Sequence, residues 1–120
     1  MYEGFAKWLD GVMDENSPIP GAAVNFNLYE EEDGDWSAQL VSAAVYDAEN
    51  DDWCCDELFT TGEDIYLWHL DGEWEEAEEQ FLDAAARYLE EGKYAGELKK
   101  FEAVTAGFVD GDLTVLYTKD

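Results

Sequence analysis

The apolar positions of the N-terminal segment recur at helical spacing. Phe5, Trp8, Leu9, Val12 and Met13 stand at i, i+3, i+4, i+7 and i+8, which predicts one apolar helix face. The stretch ENSPIPG ends that helix, because two prolines and a glycine cannot continue it. In AAVNFNLYE the period changes to two: Val24, Phe26 and Leu28 alternate with Asn25, Asn27 and Tyr29, as in a half-buried strand. Asp33-Gly34 follows, a favoured hairpin dipeptide, and leads into a second strand over Trp36–Asp47. AENDD breaks the pattern, and WCCDELF, Trp53–Phe59, reads as a third strand. After TTGED comes the short apolar run Ile65–Leu70, which suits a strand or an approach to the next helix.

The strongest helical signal runs from about Glu73 to Glu91, with Trp74, Ala77, Phe81, Ala84, Ala85, Tyr88 and Leu89 on one face. Asp71 is placed to cap it, and five glutamates fill its first turns at the positive end of the helix dipole. Gly92 is placed to stop it. A shorter helix is expected over KYAGELKKFEA, with Leu98 and Phe101 inward. A closing hairpin follows: Val104–Val109, a turn at Asp110-Gly111, then Leu113–Thr118. The expected architecture is therefore one α+β domain spanning 1–120. It has an antiparallel sheet of about four to five strands, helices packed on one face, and a closing β-hairpin. Trp74, Phe81, Tyr88 and Leu89 are the expected contacts of the long helix with the sheet.

Charge changes the picture. The chain of 120 residues carries a formal net charge of −25, yet 47% of it is hydrophobic and 15% aromatic. That aromatic content argues for a packed core rather than a disordered acidic tail. The charge is lopsided. Residues 1–86 hold 24 acids against one lysine, a net −23, whereas residues 87–120 hold seven acids against five Lys or Arg, a net −2. Such a field opposes direct binding of nucleic acid or an anionic membrane, because both demand Lys or Arg. It favours a basic protein or cations, and it strains the compact state by self-repulsion. No stretch approaches the ~18 apolar residues of a membrane span. With no basic leader and with Cys54 and Cys55 adjacent rather than framework-spaced, the expected location is the cytoplasm.

Catalytic and metal chemistry finds little to work with. Placing Gly34, Gly72 or Gly111 at the sixth position of an EF-hand loop puts Tyr29, Leu67 or Ala106 at the first, so these glycines read as turns. One histidine and two vicinal cysteines do not make a usual zinc set. His69, between Trp68 and Leu70, reads as a satisfied or partly buried histidine rather than a ligand. No nucleophile elbow surrounds Ser17, Ser37 or Ser42, and Asp51, Asp52, Asp56 and Glu57 would raise the thiol pKa values of Cys54 and Cys55. One of those two cysteines is expected to face the core, by the strand period. With 31 acids, some carboxylate pair at glycosidase spacing is inevitable and carries no information. No phosphate-binding glycine loop is present. The expectation is a protein without enzymatic activity, cofactor or metal.

Two acid clusters remain: Glu30, Glu31, Glu32, Asp33 and Asp35 in YEEEDGDW, and Asp47, Glu49, Asp51, Asp52, Asp56 and Glu57 in DAENDDWCCDE. Helix capping does not explain them, and like charges this crowded repel. Each cluster includes aromatics, Tyr29 and Trp36 in one, Tyr46 and Trp53 beside or within the other. Carboxylates around aromatic anchors suit a face that receives a basic protein partner. Trp36 and Trp53 serve equally well as core residues.

The C-terminal half, LFTTGEDIYLWHLDGEWEEAEEQFLDAAARYLEEGKY followed by VTAGFVDGDLTVLYT, resembles small acidic immunity proteins of bacterial polymorphic-toxin and contact-dependent growth inhibition systems. The resemblance implies binding and neutralisation of one cognate toxin domain, often a basic nuclease, in the cytoplasm of the producing cell. It assigns no residue roles; the acid clusters as the toxin-facing surface follow from charge alone. Three alternatives are a nucleic-acid mimic that blocks a DNA- or RNA-binding protein, a general acidic interaction module, and an ordinary protein of a high-salt cell.

Overall fold

Three helices pack on one face of a six-stranded sheet in a computed structural model that describes residues 1–55 and 57–119, apart from the side chain of Cys55. The helices are α1 (Tyr2–Asn16), α2 (Trp74–Glu91) and the short α3 (Ala95–Leu98). The strands are β1 (Ala23–Glu30), β2 (Asp35–Ala43), β3 (Glu57–Thr60), β4 (Tyr66–His69), β5 (Ala103–Phe108) and β6 (Thr114–Thr118). The sheet order is β3-β2-β1-β5-β6, and β4 lies beside β3 along the same edge of β2. One expectation needs correction: the central pair β1·β5 is parallel, because both helices that follow β4 intervene and bring the chain back in β1's direction. Every other pairing is antiparallel.

The period-two reading of β1 explains the core. Val24, Phe26 and Leu28 share a face with Trp36, Ala38 and Leu40 of β2 and with Val104 and Ala106 of β5. Against this face α1 lays Phe5, Leu9, Val12 and Met13, and α2 lays Ala77, Phe81, Ala84, Ala85, Tyr88 and Leu89. Phe5 is the meeting point. Its ring lies 5.1–6.0 Å from those of Phe26, Tyr66, Phe81 and Tyr88, each in an edge-on arrangement. Tyr88 adds a polar tie, donating to Asp10 of α1 at 2.6 Å and accepting from the Tyr94 backbone N–H at 3.1 Å. Burial holds that hydroxyl protonated well beyond the usual tyrosine range.

The other sheet face departs from a simple solvated strand. The chain after β2 crosses it, and a 3-10 turn, Asp51–Cys55, drops Trp53 onto Ala23, Ala43 and Ala103. The predicted strand over Trp53–Phe59 is therefore a turn followed by a shorter strand. Its cause is local: Asp47 accepts the Glu49 N–H and Asn50 accepts the Asp52 N–H, side-chain turns that compete with extended pairing. Cys54 belongs to this turn and donates to the Asp51 carbonyl. Cys54 is half-buried and packs against the Trp53 cluster, from a turn rather than from the expected strand, and the Cys55 side chain lies outside the described residues. Beneath the turn, polar residues satisfy one another in a row. Thr105 donates to Asn25 at 2.8 Å, Asn25 to Asn27 at 2.5 Å, and Asn27 to Gln39 at 3.0 Å.

Other boundaries moved for identifiable reasons. Glu73, not Asp71, caps α2, in a capping box with Glu76. Gly92 does end α2, but with an ordinary φ of −72°; the tight constraint there is space, since a Cβ would sit 2.6 Å from the Tyr88 ring. The closing hairpin has a five-residue loop, 109–113, rather than a two-residue turn. The returning chain presses the Asp112 carbonyl onto Gly107, where a Cβ would lie 2.5 Å away.

Phe81 is fully buried, with rings of Phe5, Phe26 and Trp68 at 5.1, 5.4 and 5.5 Å. Phe81→Ala is expected to cost about 3–5 kcal/mol, a large share of the roughly 5–15 kcal/mol that holds a domain folded. Urea unfolding of both proteins checks this; a loss below ~1 kcal/mol would contradict the packing described.

Candidate partner-binding face

The β1–β2 loop, 31–34, turns at Asp33 and Gly34, whose φ angles of 56° and 80° are both left-handed. The Asp35 N–H closes it on the Glu32 carbonyl at 3.1 Å. Asp tolerates this left-handed backbone better than most residues. The turn is docked onto the link between β4 and α2. The Leu70 N–H donates to the Gly34 carbonyl at 2.9 Å, and Trp36 Nε1 donates to the Leu70 carbonyl at 3.0 Å. His69 completes the joint, with Nδ1 2.9 Å from Asp35 and Nε2 3.0 Å from Asp71. The histidine is exposed, contrary to a partly buried reading. In β4 the period of two sends Trp68 inward and His69 outward, so its satisfaction comes from carboxylates at the surface.

The predicted site residues thus divide. Asp35 holds His69, Glu31 accepts from Ser37 Oγ at 2.7 Å, and Asp51 accepts the Leu113 N–H at 3.1 Å. Asp47 stabilises its own turn. Glu30, Glu32, Asp33, Glu49, Asp52 and Glu57 project into solvent, and Asp56 lies outside the described residues. The clusters begin at opposite ends of β2, since Asp35 opens that strand and Ala43 closes it. The crossing over the sheet then carries Asp51 and Asp52 back toward the β5–β6 loop, next to the end of β1.

Two grooves meet there. One, of about 380 Å³, has Asn27 and Gly107 in its floor and Asp51, Asp52 and Glu57 on its walls. The other, of about 400 Å³, lies between Tyr29, Trp74, Phe108 and Val109, with Glu30 and Asp110 among its lining. Tyr29, Phe108, Val109 and Gly111 line both. No Lys or Arg lines either groove. Lys99, Lys100 and Lys119 gather at the far end of β5, where the Lys119 N–H pairs with the Glu102 carbonyl. Arg87, Lys93 and Lys100 are ion-paired with Glu91, Asp14 and Glu97. The two grooves are thus lined by acids without cations, and Lys99, Lys100 and Lys119 lie at the other end of β5.

The aromatic anchors differ from those expected. Trp36 and Trp53 are core, 2% and 6% exposed. Tyr46 packs on Trp53, so of the four named aromatics Tyr29 alone lines the grooves. Trp74, expected in the core, is 49% exposed and Val109 51%. Trp74 is the first residue of α2, and its ring meets that of Phe108, the last residue of β5, edge-on at 5.9 Å. The apolar stripe of α2 outruns the sheet beneath it by one residue. A tryptophan in the first turn of an acidic helix, and a valine just before Asp110-Gly111, were the available signals. Glu78, one turn on, is half-buried; burial raises its carboxyl pKa, and a bond from the Phe108 backbone opposes the shift.

The comparisons with family models, curated proteins and solved structures found no match. The chemistry of this face must therefore be read from its own residues. Among the described residues no group of three or more His, Cys, Asp or Glu is placed to hold a metal ion, and no helix is long and apolar enough to cross a membrane. What the face offers is exposed apolar surface at Trp74 and Val109 and a carboxylate rim.

The His69 joint titrates. The hydrogen bond to Asp35, then the charge of Asp71, raises its pKa above the ordinary value. A raised folded-state pKa adds stability that is complete below the unfolded value of ~6.5 and is lost as pH rises through the folded value. The gap in Tm between the parent and His69→Gln is therefore expected to be larger at pH 5.5 than at pH 9. An equal gap at both would contradict the bridge.

Proposed function

We propose that the protein is an immunity protein: it binds a basic toxin domain through the hairpin-end face and neutralises it in the cytoplasm of the producing cell. The observation that carries this reading is the pairing of exposed Trp74 and Val109 with Glu30, Asp110, Asp52 and Glu57 on a face that none of the chain's cations lines. Aromatic anchors inside a charged rim are the usual makeup of a protein-binding hot spot. The rim steers the partner and the anchors hold it. The protein acts by binding, without catalysis, cofactor or metal. The likeness of its C-terminal half to acidic immunity proteins agrees with this reading, and so does the backbone hydrogen bond that ties the Asp33-Gly34 turn to Leu70 and so fixes where its backbone presents the acids.

Two charge-matched variants test it. Glu30→Gln/Glu32→Gln/Asp33→Asn removes three charges from the face, leaving Glu31 and Asp35 to their bonds with Ser37 and His69. Glu79→Gln/Asp83→Asn/Glu90→Gln removes three exposed charges from α2. The face variant is expected to slow association with the basic toxin domain several-fold and to weaken protection of cells, while the helix variant changes little. Raising salt from ~0.05 to ~0.5 M should slow the parent's association more than its dissociation, because screening acts on steering. If both variants behave alike, only net charge matters and the face is ordinary solvated surface.

A further inference from the structure

The groove between α2 and the two hairpins has a composition that specifies more than a positive partner. Its walls are aromatic: Trp74 from the start of α2, Tyr29 from the end of β1 and Phe108 from the end of β5. Leu28 and Val109 complete the apolar lining, and Glu30 and Asp110 supply the acids. At about 400 Å³ it falls at the small end of ligand sites, roughly 300–1,000 Å³, enough for one long side chain and the backbone that bears it. An aromatic wall attracts a cation through its electron-rich face, and a carboxylate beside it fixes the cation's position. A purely aliphatic guest would gain nothing from the exposed carboxylates of Glu30 and Asp110, and a small hydrated cation would leave Trp74 and Val109 exposed. A planar, weakly hydrated guanidinium on an aliphatic stem satisfies both parts.

We propose that this groove is an arginine-binding site, which receives an arginine side chain from an exposed segment of the basic partner. The assignment rests on the reading of the face given above and names the group it grips. The chain already holds a smaller version of this chemistry elsewhere: Arg87 lies 4.1 Å from the ring centroid of Tyr2 while paired with Glu91. At the groove the aromatic and acidic parts are present and the cation comes from outside.

The test uses the full chain and a short probe, acetyl-Arg-Gly-Arg-amide, at low salt. Two-dimensional NMR reads the side-chain N–H of each of the five tryptophans, with Trp74 assigned from a Trp74→Phe variant. The Trp74 signal should shift saturably, while that of buried Trp53 stays in place. The same peptide with citrulline, a neutral isostere of arginine, should bind at least about tenfold more weakly, and the lysine peptide should bind several-fold more weakly. Trp74→Ala should weaken the arginine peptide by about two- to thirtyfold, the span of cation–π contacts. Glu30→Gln/Asp110→Asn leaves the apolar wall intact and should weaken it by about two- to fivefold. That second variant decides the question if loss of Trp74 disturbs the start of α2. Equal binding of the citrulline peptide, or unchanged binding by both variants, would overturn the arginine site. The steering role of Glu30, Glu32 and Asp33 would then still stand or fall on the charge-matched comparison with the toxin domain.

Discussion

The ring of Phe5 joins both helices α1 and α2 to the sheet, and the remaining elements are placed by what it requires. It sits within 5.1–6.0 Å of rings from β1, β4 and α2. α1 can therefore seat only where β1 and α2 are already close, and α2 can seat only with its Phe81 stripe inward. An acidic chain needs such a centre. Self-repulsion among so many carboxylates favours expansion, and the apolar contact that resists it is concentrated in aromatic rings, which bury much surface at little conformational cost. The polar row from Thr105 to Gln39 closes the opposite side of β1 without a second large apolar layer.

With the centre fixed, the geometry of the hairpin end follows. β1 and β5 run parallel and finish together, so their loops emerge at the same end of the sheet. The Leu70–Gly34 pairing and the His69 bridge set the start of α2 beside them. That one end therefore collects two turns and a helix N-terminus, three places where acids are locally favoured. Three of the six cations, Lys99, Lys100 and Lys119, sit at the other end of β5, where the chain returns.

The period-two and period-3.6 patterns made most of this architecture legible in the sequence, because each element has one face in the core. α1, β1 and α2 follow directly from those periods, and Leu98 and Phe101 are buried as expected, although the helix read over KYAGELKKFEA is only the single turn Ala95–Leu98 and Phe101 lies beyond it. The parallel pairing of β1 and β5 was not legible, since hairpin dipeptides announce local antiparallel turns and say nothing about which distant strand fills the centre. The turn at Trp53 was hidden for a related reason: WCCDELF has the composition of a strand, but the Asp47 and Asn50 side chains bend the chain before it can pair. The acids of the candidate face could be named from density alone, yet their separate tasks could not. Asp35 and Glu31 are bound to His69 and Ser37, partners that the fold brings alongside. The tryptophans were the least legible. Periodicity places Trp74 on the same stripe as Phe81, and only the length of the sheet reveals that the stripe continues past its support.

The central claim, that the hairpin end meets a basic partner, is tested most directly by amide hydrogen exchange on the complex with the toxin domain and on the protein alone. The account predicts slowed exchange in residues 28–34, 74–78 and 108–113, with the outer face of α1 and the Lys99–Lys100 end unchanged. Protection confined to α1, α3 or the β3–β4 edge, with the hairpin end exchanging as freely as before, would contradict it.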